Sequence, residues 1–204
     1  MITIIDYGTS NLGSIRNMLS KIGVENEVAS DPSSVSKATK IILPGVGAFD
    51  AGMARLAATG MVDALNERVL GQKVPVLGVC LGMQLMARGS EEGDLPGLGW
   101  IDTTVRRFDQ IADPGIRVPH MGWNEVAAVG DSPLTADLPA DARFYFAHSY
   151  RYAPDEVPSV LVSRHGRTDF SSAFHRGNIY GAQFHPEKSH RFGMWLLRNF
   201  AGVA

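Results

Sequence analysis

The chain has 204 residues, of which 45% are hydrophobic and 20% charged, and its formal net charge at pH 7 is −2. This composition is typical of a globular protein with a sizeable core, and we expect a single domain over residues 1–204. The charge balance excludes a sequence-wide nucleic-acid surface, and no apolar stretch approaches the ~20 residues of a membrane span. The single cysteine cannot form an intramolecular disulfide, so we predict a reducing, cytoplasmic location.

Short apolar runs alternate with helical patterns in the first half of the chain, which is typical of βαβ units and a parallel sheet. The spacing of Leu12, Ile15, Leu19 and Ile22 predicts the first helix. In chain order we predict strand Ile2–Ile5, helix Asn11–Ile22, strands Glu25–Ala29 and Lys40–Leu43, helices Phe49–Ala58 and Met61–Leu70, and strand Val74–Val79. The last of these strands leads to Cys80 and a further helix-like segment.

After Glu91, glycine and proline become frequent and short alternating segments predict strands joined by turns, in an antiparallel or mixed arrangement. The predicted strands are Trp100–Phe108, Asn124–Val129, Arg143–Ala147, Ser159–Ser163 and Ile179–Phe184, and the chain closes with helix Ser189–Phe200. The fold class predicted from both halves is α/β, with a central, mostly parallel mixed sheet flanked by helices.

Four segments fall at the predicted carboxyl ends of strands, where open α/β sheets bind ligands. They are Asp6–Gly13, Pro44–Phe49, Cys80–Gln84 and His185–Ser189. We expect them to converge on one pocket.

Cys80 follows a buried strand at a sharp turn, where a side chain stands out of the sheet and the N-terminus of a helix favours a thiolate. Gly78 and Gly82 leave room for a tight backbone and for the approach of a substrate. The alternative is a small buried core residue, since free cysteines are often buried. His185 and Glu187, two residues apart after another strand, favour the nucleophile because they supply a base and a group to orient it.

An oxyanion intermediate also needs backbone N–H donors. Leu81, at the start of the predicted helix, is one candidate, and the glycine-containing loop Pro44–Phe49 offers Val46 as the second. We predict that this loop rests with the Val46 N–H turned away from the site. Gln84, one helical turn after Cys80, faces the same side and can hydrogen-bond an amide substrate, although a solvated helix glutamine is the alternative.

Gly78–Gln84 together with His185–Glu187 resembles the class I (triad) glutamine amidotransferases, and the likeness runs from the first strand to the last helix. It implies that family's fold, with a flavodoxin-like core, and glutaminase activity. In the implied mechanism Cys80 attacks the side-chain amide of glutamine, His185 gives a proton to the leaving ammonia, Glu187 orients His185, and water hydrolyses the thioester. No cofactor is expected, and one cysteine with scattered histidines lacks the spacing of a zinc site.

Within that family, four segments are similar to the glutaminase subunits that serve histidine biosynthesis, namely Pro44–Phe49, Pro119–Asn124, Tyr145–Tyr150 and Gly181–Ser189. The resemblance implies a heterodimer with a (β/α)₈-barrel cyclase, which uses the ammonia to make imidazole glycerol phosphate and an aminoimidazole carboxamide ribotide. A non-catalytic subunit and an amidotransferase of pyridoxal phosphate or anthranilate formation are the alternatives.

The same resemblance assigns further residues. It implies that Gly47, Gln84, Ser149 and Tyr150 bind glutamine, and that Asn11, Trp123, Tyr145 and Lys188 face the cyclase. His120 is expected to pack structurally, and His148 to fix the loop that carries Ser149 and Tyr150.

Overall fold

The computed structural model describes residues 1–9 and 12–203. Its strands are β1 (Ile2–Ile5), β2 (Asn26–Ala29), β3 (Ile41–Gly45), β4 (Val76–Cys80), β5 (Ala87–Ser90), β6 (Ile101–Arg107), β7 (His120–Glu125), β8 (Ala127–Ala128), β9 (Arg143–His148), β10 (Tyr150–Arg151), β11 (Ser159–His165), β12 (Thr168–Arg176) and β13 (Ile179–Ala182). Its α-helices are α1 (Leu12–Lys21), α2 (Pro32–Val35), α3 (Phe49–Ala58), α4 (Met61–Asn66), α5 (Leu81–Gln84) and α6 (His190–Gly202). Over these described ranges, no helix has the length and apolar character needed to cross a membrane.

The main sheet has eight strands in the order β2-β1-β3-β4-β13-β12-β11-β8. The first five strands in this order are parallel, and β12, β11 and β8 each pair antiparallel with the preceding strand. The mixed sheet is therefore confirmed. When its five parallel strands are counted in chain order, with β13 as the fifth, they have the 2-1-3-4-5 order of a flavodoxin-like fold. Two smaller sheets, β10-β6-β5 and β7-β9, are attached to it.

Hydrophobic cores lie on both faces of the main sheet. All residues of β1, β3 and β4 are buried, as expected for parallel strands covered on both sides. Ile42 and Leu43 are neighbours in β3 but belong to different cores, because successive side chains of a strand point to opposite faces. One core includes buried residues of α3 and α4, and the other those of α1 and α6.

Most predicted elements are confirmed, but the segment after Cys80 is not a full helix. It makes one turn, Leu81–Gln84, and then enters β5, which the sequence analysis did not predict. The backbone beyond Leu85 bonds instead to the 97–101 segment, with Leu98 N donating to Leu85 O and Ile101 N to Met86 O. Tertiary pairing therefore overrides the local helical period.

Two further differences concern the second half of α4 and a missing strand. The predicted helix Met61–Leu70 ends at Asn66 and continues as a π-helical turn, Glu67–Gly71. Strand β12 was missed because its polar residues obscure the apolar pattern. Ser171 and Ser172 are fully buried there, where their hydroxyls bond to the hydroxyls of Ser159 and Ser163 on the neighbouring strand.

Candidate active site

Cys80 lies at a strained turn between β4 and α5. Its φ of 52° and ψ of −111° are unusual for a residue with a side chain, and such strain costs of order 1–3 kcal/mol. The surrounding fold enforces this geometry, which is that of a nucleophile elbow. The helix predicted to begin after Cys80 does begin there but makes only one turn, so any dipole at Cys80 is that of a single turn with its unpaired backbone N–H groups.

The glycines on either side of Cys80 are required by packing. A Cβ on Gly78 would lie 2.7 Å from Cα of Met83, and a Cβ on Gly82 would lie 1.8 Å from the carbonyl oxygen of Leu43. The prediction of a tight backbone is confirmed. The space at these two positions, however, is taken by the protein's own backbone and is not left for a substrate.

His185 and Glu187 follow β13 and form a buried pair. Nδ1 of His185 donates to Oε1 of Glu187 at 2.8 Å, and the side chains are 3% and 10% exposed. Burial by itself would lower the pKa of His185, but its contacts with the Cys80 side chain and the Glu187 carboxylate raise the pKa above its ordinary value. Since Nδ1 is used by Glu187, Nε2 is left to face the sulfur, and a protonated imidazole there favours a thiolate.

A hydrogen-bonded backbone fixes the position of His185. Its N–H donates to the carbonyl of Tyr145 in β9, while the N–H of Tyr145 donates to Oγ of Ser189. The hydroxyl of Ser189 in turn donates to the carbonyl of His185. Strand β9 and the turn Pro186–Lys188 therefore hold the imidazole in place.

These groups open onto a cavity of about 340 Å³. It is lined by Val46, Gly47, Cys80, Leu81, Gln84, Glu92, Pro119, Met121, Ala147, His148, Ser149, Tyr150, His185 and Lys188. Three of the four segments predicted to converge thus line one pocket. The described residues of the fourth, Asp6–Gly13, do not line it, and Glu187 lies behind His185.

The loop after β3 lines the cavity through Val46 and Gly47, and its backbone is held by hydrogen bonds to residues that follow β1. The Val46 N–H donates to the carbonyl of Thr9 at 3.0 Å, and Thr9 does not line the cavity, so this N–H is not free to donate to a substrate. The hydroxyl of Tyr7 donates to the carbonyl of Pro44 at 2.7 Å and fixes the start of the loop. Gly47 has a φ of +106°, which favours glycine over any other residue.

Gln84 is buried and has little donor capacity left for a ligand. Its Nε2 donates to the carbonyl of Tyr150 and to Oε1 of Gln183, both at 3.0 Å. Only its carbonyl oxygen is therefore available to a substrate. The alternative of a solvated helix glutamine is wrong, since Gln84 is 5% exposed.

Two buried histidines support the wall formed by β7 and β9. Nδ1 of His148 donates to the carbonyl of Tyr150 at 2.8 Å, so its Nε2 accepts a hydrogen bond from Nδ1 of His120 at 3.0 Å. Burial lowers the pKa of His148 to about 3 and that of His120 to about 4, and both rings are neutral at pH 7. His148 thus fixes the Ser149–Tyr150 loop, as expected.

Three of the residues expected to face a partner lie together beside the cavity. The rings of Trp123 and Tyr145 are 6.3 Å apart, and Nζ of Lys188 lies 5.5 Å from the centre of the Tyr145 ring. Trp123 is 44% exposed, which is unusual for tryptophan. The fourth residue, Asn11, lies outside the described residues.

A profile of the family described as glutamine amidotransferase class-I matches residues 3–202. The chain belongs to the class I glutamine amidotransferase family. Similar curated proteins include the imidazole glycerol phosphate synthase subunit HisH 2 of Methanococcus maripaludis. It is 48% identical over 200 residues, which are 98% of this chain and 98% of that protein. The subunit HisH of Bdellovibrio bacteriovorus is 48% identical over 204 residues, the full length of both chains.

Solved structures of other proteins share this fold at lower sequence identity. One described as a glutamine amidotransferase has a TM-score of 0.75, 18% identity and complete coverage of both chains. The structure of PurLQS from Thermotoga maritima has a TM-score of 0.74 and 17% identity, and covers 98% of this chain and 96% of that chain. At these identities the likeness shows the fold alone.

Several further residues of this site were not predicted from the sequence. Ser189 holds the backbone of His185, Glu92 lines the cavity and accepts from the N–H of Phe49, and Gln183 contacts Cys80. Gln183 and Ser189 lie close to His185 in the segment Gly181–Ser189, so their position in the sequence could have indicated a role in the site. Glu92 is distant in sequence from every motif and carried no such signal.

Proposed function

We propose that the chain is the glutaminase subunit of an imidazole glycerol phosphate synthase and supplies ammonia for histidine biosynthesis. The observation that carries this proposal is the adjacency of Cys80, His185 and Glu187 at one cavity, combined with relatives of that name over the full chain. A non-catalytic subunit would be expected to lose one of these three groups.

In the proposed reaction, the sulfur of Cys80 attacks the side-chain carbonyl carbon of glutamine. The C–N bond of the resulting tetrahedral intermediate breaks as His185 gives its proton to the departing ammonia, leaving a glutamyl thioester. Water then attacks the thioester with His185 as the base, and glutamate leaves as the sulfur is released. Glu187 keeps the imidazole oriented and stabilises its positive charge.

The substrate is proposed to bind to residues that line the cavity. Gly47, Ser149, Tyr150 and the free carbonyl oxygen of Gln84 are proposed to hold glutamine, since all four residues line the cavity. The Leu81 N–H, at the start of α5, is one proposed oxyanion donor. The Val46 N–H is the second, and it becomes available only when its hydrogen bond to Thr9 breaks. Glutamine is then hydrolysed slowly until a partner favours the other loop orientation.

The proposed partner is a (β/α)₈-barrel cyclase, bound as a heterodimer in the cytoplasm. Trp123, Tyr145 and Lys188 support this surface because they cluster beside the cavity, with Tyr145 between the other two and with the tryptophan exposed. Asn11 is proposed for the same surface from the resemblance alone. The cyclase adds the ammonia to its own substrate and forms imidazole glycerol phosphate and an aminoimidazole carboxamide ribotide.

The decisive experiment measures glutamate release by the purified chain, alone and with a histidine-pathway cyclase that carries its nucleotide ligand. We expect strong release only in the loaded complex. Glutamate release that is the same with and without this cyclase would support the glutaminase activity but would assign the chain to another synthase. Cys80→Ala should abolish glutamine use and leave ammonia-dependent synthesis by the complex intact, and an equal loss of both would make Cys80 structural.

A further inference from the structure

Gln183 is a fully buried polar residue that the mechanism above does not use. It follows β13, and its Nε2 lies 3.8 Å from Sγ of Cys80, within the range of a hydrogen bond to sulfur. We propose that Gln183 is a further residue of the reaction site, whose amide N–H holds the Cys80 sulfur and stabilises it as a thiolate. The proposal deepens the proposed glutaminase function and rests on it.

The direction in which the Gln183 amide points follows from its neighbours. The carbonyl of Tyr150 can only accept, so the Gln84 group that lies 3.0 Å from it must be the amide nitrogen. That nitrogen also lies 3.0 Å from the Gln183 amide, which must therefore present its oxygen. The NH₂ group of Gln183 is thereby turned toward Cys80, and no other assignment satisfies all three groups.

His148 makes this arrangement rigid. Its Nδ1 donates to the same carbonyl of Tyr150, so that oxygen is held by two donors from two different elements. Gln84 and Gln183 are 5% and 0% exposed, so both amides are held in the protein interior. The amide that faces the sulfur is therefore fixed before glutamine binds.

The two polar neighbours of the sulfur favour opposite protonation states. The carbonyl oxygen of Ala147 lies 3.9 Å from Sγ and can accept a hydrogen bond only from a thiol. The Gln183 amide can donate to a thiolate, and hydrogen bonds to an ionised acceptor are the stronger kind. Of these two neighbours, Gln183 is therefore the one whose hydrogen bond favours an ionised sulfur.

Thiol alkylation tests this role without glutamine or a partner. Because Cys80 is the only cysteine in the chain, the rate of reaction with iodoacetamide reports on its sulfur alone. The rate is measured from pH 5 to pH 10 for the full-length chain and for Gln183→Met, which keeps the length of the side chain and removes the donor. We expect the midpoint of the profile to move to higher pH and the rate at pH 7 to fall about three- to tenfold.

Two more variants separate donation from packing. Gln183→Glu places an acceptor beside the sulfur and should slow alkylation at pH 7 more than Gln183→Met does. Ser172→Ala alters a buried hydroxyl beside the same strand, where the carbonyl of Ser172 accepts from the N–H of Gln183, and should leave the profile unchanged. A Gln183→Met profile that matches the unsubstituted chain in midpoint and rate would overturn the proposal.

If Gln183→Met does not fold, Gln84→Met decides the question. It removes the donor that fixes the Gln183 amide and leaves Gln183 itself in the core, so the midpoint should move in the same direction by a smaller amount. An unchanged midpoint in Gln84→Met would then overturn the proposal. Glutamate release by the complex is measured separately, so a chain that alkylates as expected and hydrolyses no glutamine refutes only the glutaminase function.

Discussion

Replacing His120 by asparagine should change how the stability of the protein depends on pH. In the folded protein burial, with a smaller contribution from His165, lowers the pKa of His120 to about 4, against 6.5 in the unfolded chain. Between these values the unfolded state binds more protons than the folded state, so the free energy of unfolding falls as the pH falls. At pH 8 both states hold His120 neutral, and the effect is absent.

The size of the effect follows from the same two values. At pH 5, which is about 1.5 units below the pKa in the unfolded chain, protonation of His120 stabilises the unfolded state and hardly affects the folded state. Each unit corresponds to about 1.4 kcal/mol. Neutral His120 should therefore cost the folded protein about 2 kcal/mol at pH 5 relative to pH 8. The effect of His185 has the opposite sign, because its pKa is raised in the folded protein. It stabilises the folded protein at pH values below its pKa in the unfolded chain, and this contribution is lost as the pH rises through its pKa in the folded protein.

Comparing the unsubstituted chain with His120→Asn cancels the contribution of His185, because it is common to both proteins. Asparagine at position 120 can still donate to Nε2 of His148 but does not titrate. Urea unfolding at pH 8 should show the variant to be less stable, because the ring packs 4.8 Å from Phe146. At pH 5 the difference should be smaller by about 2 kcal/mol. His190→Asn, at an exposed position, is the matched control. A difference that stays constant from pH 8 to pH 5 would refute the assignment of a buried neutral His120.

Three further predictions concern the site. Glu187→Gln removes the negative charge beside the imidazole, so glutamate release by the loaded complex should fall about 10- to 100-fold, and a fall below threefold would contradict its role. Gly82→Ala forces a Cβ against a backbone oxygen and should lower the free energy of unfolding by about 3 kcal/mol or more. Gly89→Ala is the control, because a Cβ there meets open space, and it should change the free energy of unfolding by less than about 0.5 kcal/mol. Similar urea midpoints for the two variants would argue against this packing explanation. Gly47→Ala strains a backbone with φ of +106° and should alter the activation by the cyclase more than the KM for glutamine; equal effects on both would count against a moving loop.

The sequence was most informative where local pattern and tertiary structure agree. Strand Ile2–Ile5 and helix Phe49–Ala58 have the predicted bounds, and Cys80, His185 and Glu187 lie together as their motifs indicated. Strongly local features such as an apolar run or a glycine-flanked turn are readable because few other conformations satisfy them.

The remaining features depend on partners that are distant in sequence. The segment after Cys80 has a helical period, yet it leaves the helix after one turn because its backbone pairs with the 97–101 segment. Strand β12 carries serines that are acceptable in a core only because serines of β11 face them. The link from Gln84 to Gln183 and Cys80 joins residues about a hundred positions apart, and no spacing rule connects them.

The resting site has its proposed nucleophile and base in place while one proposed oxyanion donor is occupied elsewhere. Loss of one such donor typically slows acyl transfer about 10²- to 10³-fold, so the resting chain should hold glutamine more readily than it hydrolyses it. Freeing the Val46 N–H costs one hydrogen bond to Thr9, about 1 kcal/mol net, and Gly47 tolerates the accompanying change of backbone angle. A partner therefore needs only a few kcal/mol of preference for the rotated loop to reverse the population. Contacts at Trp123 and Lys188, beside the cavity, are of a kind that can supply it.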